Sequence, residues 1–332
     1  FVRCRCWRFR CQYPCTPFET LHPSHLTLLT NLLIHHAMIM KYRPMQRFTF
    51  IYSMGLALLT ALWLGGPSVM AQTPPAWENL TEQLVAVELS AGVRQEGVLS
   101  LRTGTQSPDV LAVLLPGHPS VLRPVVSDQR MTALRLPGNF LVRARRHLAD
   151  ERIALLLVDC RSDSGDTCTA KYQASPERQT DVMALIQAVR QQLPSIQKVW
   201  LVSTSMGSIS SAFMPMHGKG VYAGAIHTAA ITEPYAMHSY RELGGFDYGQ
   251  ITGVQAFVHH QNDPCPMTTH SGAAKLAQKF SIPLVTVHGG SGFQGHPCRA
   301  FTEHGFTGKE REVMLHIGQI LKTGQANNAD VR

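Results

Sequence analysis

Apolar residues along this chain gather into short β-favouring runs, at 110–115, 153–158, 198–203, 222–227, 254–259 and 283–288, separated by stretches with helical spacing. Unbroken apolar runs of this length suit strands buried on both faces rather than strands with one wet face. Between the second and third runs, Ser175 and Pro176 read as an N-cap and a first helical residue, and Val182, Leu185, Ile186, Val189 and Leu193 then keep one apolar face. Near the end, Thr307 and Glu310 form a candidate capping box for a last helix carrying Val313, Met314, Ile317, Ile320 and Leu321 on one side. An earlier segment, 85–101, reads as an antiparallel pair at the edge of a sheet. The alternation predicts an α/β protein with a mostly parallel sheet covered by helices on both faces.

The run at 198–203 leads into Thr204-Ser205-Met206-Gly207 and then into helix-compatible sequence. A strand, a tight turn and a helix meeting at a serine between small residues is how a hydrolase exposes a nucleophile on a strained elbow. The central residue must take an unfavourable backbone conformation, and small neighbours two positions either side let strand and helix approach. Ser203 and Gly207 fill those positions, so Ser205 is the candidate nucleophile. Glycine is usual at the first of them, and Ser203 departs from the pattern by one hydroxymethyl group.

With elbow and alternation together, the chain from about Ala76 to about Leu321 resembles the α/β-hydrolases. The resemblance implies an eight-stranded-type, mostly parallel sheet and the chain order nucleophile, acid, histidine. Asp263, in a turn just beyond the run 254–259, matches the family's acid, and His304, shortly before the last helix, matches its base. His304 would take the serine proton and return it to the leaving group, while Asp263 orients the imidazole and stabilises its protonated form. The oxyanion would be held by the amide of Met206 and by one from the loop Leu115-Pro116-Gly117-His118, where Gly117 permits close approach and His118 supplies the donor. His296, in the same loop as His304, is the alternative base. His259 and His260 are expected to line or support the pocket rather than bind metal, since no second pair at ligand spacing is present. His227 is expected to be a packed residue, and Asp159 and Asp163 to be turn residues.

Residues 38–71 carry basic residues, a short apolar stretch and Val69-Met70-Ala71, the pattern of a secretory signal peptide cut after Ala71. Residues 1–37 contain no methionine and read as translated upstream sequence or a disordered extension, leaving 72–332 as the hydrolase domain. Removing 1–71 takes away seven basic residues and one acidic one, so the formal charge of +8 falls to +2 and the basis for a nucleic-acid partner disappears. The apolar stretch is too short for a comfortable membrane span, and no stable anchor is expected after cleavage. Cys4, Cys6, Cys11 and Cys15 lack partners at metal-site spacing. In an oxidising compartment Cys160, Cys168, Cys265 and Cys298 allow three pairings. Cys160–Cys168, closing a short loop, with Cys265–Cys298 is favoured, and the second bridge would tie the acid loop to the histidine loop.

Only 232–251 separates two of the strands, which leaves room for a small cap or none, with Tyr235, Tyr240, Phe246 and Tyr248 as an aromatic rim. The expected activity is that of a periplasmic or secreted serine hydrolase, most simply an esterase, acting through an acyl-enzyme on a small or polymer-borne ester, or on a thioester or amide, without metal or organic cofactor. The alternatives are a peptidase, an acyltransferase, or a non-catalytic binding protein on the same scaffold. The oligomeric state is left open.

Overall fold

The computed structural model describes residues 77–332. The upstream segment 1–37 and the leader 38–71 lie outside the described residues. A long hairpin, β1 (Leu80–Ser90) and β2 (Val93–Arg102), turns at Gly92, whose φ of +76° favours glycine. Then follow β3 (Val110–Leu115), a small hairpin of β4 (Val125–Ser127) and β5 (Arg130–Ala133), α1 (Phe140–Arg143), β6 (Ile153–Val158), α2 (Ala170–Gln173) and α3 (Pro176–Gln192). The second half contains β7 (Lys198–Thr204), α4 (Ser208–His217), β8 (Gly224–Thr228), β9 (Val254–His260), α5 (His270–Phe280), β10 (Leu284–Val287), α6 (Glu310–Thr323) and β11 (Ala329–Val331).

The main sheet runs β1-β2-β6-β3-β7-β8-β9-β10-β11. The first hairpin is antiparallel to its neighbour β6, and the strands from β6 to β11 are parallel. Every residue of β3 and β6 is buried, as their unbroken apolar runs require. Period-two alternation divides β3 between two layers. Val110, Ala112 and Leu114 share one core with Phe140 of α1 and Val313, Met314 and Ile317 of α6. Leu111, Val113 and Leu115 share the other with Val182, Leu185, Ile186 and Val189 of α3. The helical face read from the sequence of α3 is the buried one, and Ser175 caps it by accepting a bond from the Arg178 amide at 3.3 Å.

The expected mostly parallel sheet is present, with nine strands among the described residues, because the short polar tail after α6 adds β11 beside β10. One expectation is corrected. The capping box at Thr307 and Glu310 does not form: α6 begins at Glu310, with Lys309 as an N-cap that makes no side-chain bond. Glu310 Oε1 instead accepts Arg143 Nη2 at 2.9 Å and Nε at 3.1 Å, and Thr307 Oγ1 accepts Arg143 Nη2 at 3.3 Å. The arginine from α1 therefore engages Thr307 Oγ1 and one oxygen of Glu310, while Glu310 Oε2 accepts the Gly308 amide at 2.8 Å.

A buried ion pair fastens the first hairpin to the body. Glu82 on β1 accepts from Arg145 Nε at 2.9 Å, from Ser100 Oγ at 2.8 Å and from the Met131 amide at 2.8 Å. With carboxylate and guanidinium both fully buried, these bonds offset the cost of desolvating two charges. β3 lies between β6 and β7, so the chain crosses first to one side of it and then to the other. Loops after neighbouring strands diverge at such a reversal and leave a crevice at the carboxyl ends.

Candidate active site

At the carboxyl end of β7, a single turn over Ser205–Gly207 passes directly into α4. Ser205 has φ +52°, a left-handed conformation that costs a residue with a Cβ, and its amide donates to the Ala229 carbonyl at 3.1 Å. Gly207 is required: a Cβ there would lie 2.2 Å from the Leu115 carbonyl oxygen. Ser203, the departure from the usual pattern, is accommodated because its hydroxyl finds partners. Its Oγ lies 2.7 Å from Ser211 Oγ, which in turn lies 2.8 Å from His227 Nδ1. His227 is thus a packed residue, and burial pushes its pKa down to about 4.

His304 sits in a short turn, Glu303–Gly305, between Thr302, which accepts from the His304 amide, and Phe306, whose ring packs 4.8 Å from that of Phe140. Gly305 lets this turn press against its neighbour, since a Cβ there would lie 1.9 Å from the Ala300 carbonyl. Asp263 follows β9. Its Oδ1 accepts the Cys265 amide at 2.9 Å, and its Oδ2 lies 3.1 Å from His304 Nδ1. A carboxylate at that distance is the acceptor for an Nδ1–H donor. Thr268, fully buried, was not legible from the sequence: its hydroxyl donates to Asp263 Oδ2 at 2.9 Å, and its oxygen lies 3.0 Å from His304 Nδ1. Nδ1–H is therefore shared between a carboxylate and a hydroxyl that are themselves bonded. The only hint in the sequence was a pair of threonines five and six residues beyond the acid.

His296 lines the same cavity but is exposed, and no carboxylate pairs with it among the described residues. His304 alone has the buried, acid-linked arrangement. His259 and His260 support loops rather than line the cavity. His259 Nε2 accepts the Ala230 amide at 3.0 Å, while His260 bonds the Gly289 carbonyl at 2.8 Å and the Asn262 amide at 3.1 Å. Burial holds the His259 pKa down at about 3, against a smaller opposing effect of the Asp263 charge.

The loop after β3 approaches the elbow closely. A Cβ on Gly117 would lie 3.0 Å from Ser205 Cβ and 3.3 Å from the Thr204 carbonyl oxygen, so glycine is needed there. Among the described residues, the amides of Met206 and His118 donate to no protein acceptor. Asp159 braces this loop and is more than the turn residue expected. Fully buried, it accepts the amides of Leu122 at 2.6 Å, Arg123 at 2.8 Å and Cys160 at 2.7 Å, and pairs with the Arg123 guanidinium at 3.2 Å. Asp163 only pairs with Arg161 on the surface. Both favoured disulfides are present: Cys160–Cys168 beside the braced loop, and Cys265–Cys298 between the acid loop and the histidine loop.

These elements enclose a cavity of about 560 Å³ whose wall includes Gly117, His118, Ser205, His296 and His304. Of the four rim aromatics, Tyr240 lines it and Tyr235 is exposed. Phe246 and Tyr248 instead pack edge to face in a core with Phe257, a correction caused by their contact with the sheet and α4. His118 is held below its ordinary pKa, first by burial and then by the charge of Arg299.

The sheet order, the positive-φ serine after β7 and the loops carrying Asp263 and His304 constitute the α/β-hydrolase fold. No family model matches the chain, and no curated protein matches it. Among solved structures, it is similar to a lidless α/β serine hydrolase from Xanthomonas campestris at 12% identity and TM-score 0.47, over 74% of this chain and 93% of that one. It is also similar to an esterase of Pyrococcus furiosus at 13% identity and TM-score 0.49, over 73% and 92%. A dienelactone hydrolase-like promiscuous phosphotriesterase from metagenomic libraries matches at 15% identity and TM-score 0.45, over 73% and 99%.

Proposed function

We propose that this chain is an exported serine hydrolase that cleaves a carboxylic ester through an acyl-enzyme. The observation that carries the reading is a strained serine, Ser205, lining the same cavity as an imidazole, His304, whose Nδ1 is 3.1 Å from a buried carboxylate. His304 Nε2 takes the hydroxyl proton as Ser205 attacks the acyl carbon, and Asp263 with Thr268 holds the imidazolium. The amides of Met206 and His118 receive the oxyanion, and the proton returns from His304 to the departing alcohol. Water then repeats the cycle on the acyl-serine.

Two disulfides support an oxidising compartment, and among the described residues no helix is long and apolar enough to cross a membrane. Among the described residues no large cap covers the site, which suits a small ester or one borne on a polymer. Labelling of the folded protein with a fluorophosphonate, followed by peptide mass mapping, should find the adduct on Ser205. Absence of any adduct, with no turnover of 4-nitrophenyl esters, would favour a binding protein on this scaffold instead.

A further inference from the structure

The wall of the cavity has an unusual charge composition. It contains two arginines and four histidines and neither aspartate nor glutamate. The domain as a whole has a formal charge of only about +2 once 1–71 is removed, so the positive bias belongs to the crevice and not to the surface at large. Of the two arginines, Arg135 pairs at 2.8 Å with Asp166, which is 90% exposed, a contact that water and salt easily replace. Arg299 takes part in no ion pair among the described residues.

The backbone that carries Arg299 is held in place. Its amide donates to the His296 carbonyl at 2.8 Å, its carbonyl accepts Thr302 Oγ1 at 2.9 Å, and the preceding Cys298 is bridged to Cys265. The guanidinium therefore projects from a loop that is stapled to the acid turn and is continuous with His304. Its charge reaches across the crevice to His118, whose pKa it helps to lower. An exposed guanidinium with no ion-pair partner among the described residues, on the wall that also carries Ser205 and His304 and holds no acid, is a recognition element for a planar anion, which arginine grips in a fork of two N–H donors.

Resting on the serine-hydrolase reading, we propose that the preferred substrate is an ester bearing a carboxylate, gripped by Arg299 while Ser205 attacks the neighbouring acyl carbon. The carboxylate could belong to the acyl part or to the alcohol part, and two substrate pairs separate these. For the acyl side, mono-4-nitrophenyl succinate is compared with 4-nitrophenyl butyrate. For the alcohol side, 3-acetoxybenzoate is compared with phenyl acetate. Each rate is divided by the uncatalysed rate, and the quantity read is the kcat/KM ratio of anionic to neutral ester in wild type, Arg299→Gln and Arg299→Glu.

The expected result is a ratio of about tenfold in at least one pair, the size of one charge-assisted contact. It should collapse towards unity in Arg299→Gln, invert in Arg299→Glu, and shrink as sodium chloride is raised. A ratio near one in both pairs, or one that survives Arg299→Gln, overturns the proposal while Ser205-dependent turnover of the neutral esters leaves the hydrolase reading intact. No turnover of any ester, with no labelling of Ser205, overturns both.

Discussion

Replacing Thr268 with valine preserves the shape of a fully buried side chain and removes one hydroxyl. That hydroxyl donates to Asp263 Oδ2 at 2.9 Å and stands 3.0 Å from His304 Nδ1. In the variant Oδ2 keeps only His304, and Oδ1 keeps only the Cys265 amide. A hydrogen bond to a charged group contributes about 1.5–3 kcal/mol, and here that energy organises the carboxylate–imidazole pair. If it is lost from the transition state, kcat/KM falls by about 10- to 100-fold. Thr268 does not line the cavity, so the loss should appear in kcat with KM little changed. Thr268→Ser, which keeps the hydroxyl, should recover most of it. Asp263→Asn should lose far more, about 10⁴-fold, because the amide favours the wrong imidazole tautomer. The assay is steady-state hydrolysis of 4-nitrophenyl butyrate, with active sites counted by fluorophosphonate titration. Valine within twofold of wild type, or serine as impaired as valine, would refute the reasoning.

Gly117→Ala would bring a Cβ to 3.0 Å from Ser205 Cβ, push the loop off the elbow and lower kcat by about 100-fold with a small change in melting temperature; activity within threefold of wild type contradicts this. Removing the Cys265–Cys298 bridge, which spans a sequence separation of 33, should cost about 3–4 kcal/mol by loop closure, read as a lower urea midpoint. If that bridge also aligns acid and base, kcat falls even at a temperature where the variant is fully folded, whereas unchanged kcat there limits it to a staple. His227 and His259 have folded pKa values lowered to about 4 and about 3, so below the unfolded value of 6.5 the unfolded chain binds protons that the folded one does not. Their contribution is present at neutral pH and is lost as pH falls from about 6.5 towards those values, by about 1.4 kcal/mol per pH unit for each histidine. Urea midpoints that stay level from pH 7 to pH 5 would disprove this.

The features legible in the sequence were those governed by neighbours along the chain. Apolar runs located the strands of the parallel core, Ser175-Pro176 marked the start of α3, and Ser203-x-Ser205-x-Gly207 marked a turn whose close packing admits little else. Chain order then singled out Asp263 and His304, and an even set of cysteines suggested the bridges that form. Periodicity, caps and tight turns express backbone preferences within a few residues, so they can be read without coordinates.

Contacts between distant segments decided the rest. Thr268 joins the acid–base pair only because the turn after β9 folds under the histidine loop. Asp159 became the brace of the loop after β3, and Glu82 the buried partner of Arg145, through donors 36 to 63 residues away. Arg143 took the polar groups expected to cap α6, and Tyr248 went into the core instead of the rim. A buried polar group must find its partner wherever the fold supplies one, and local pattern carries no record of that choice.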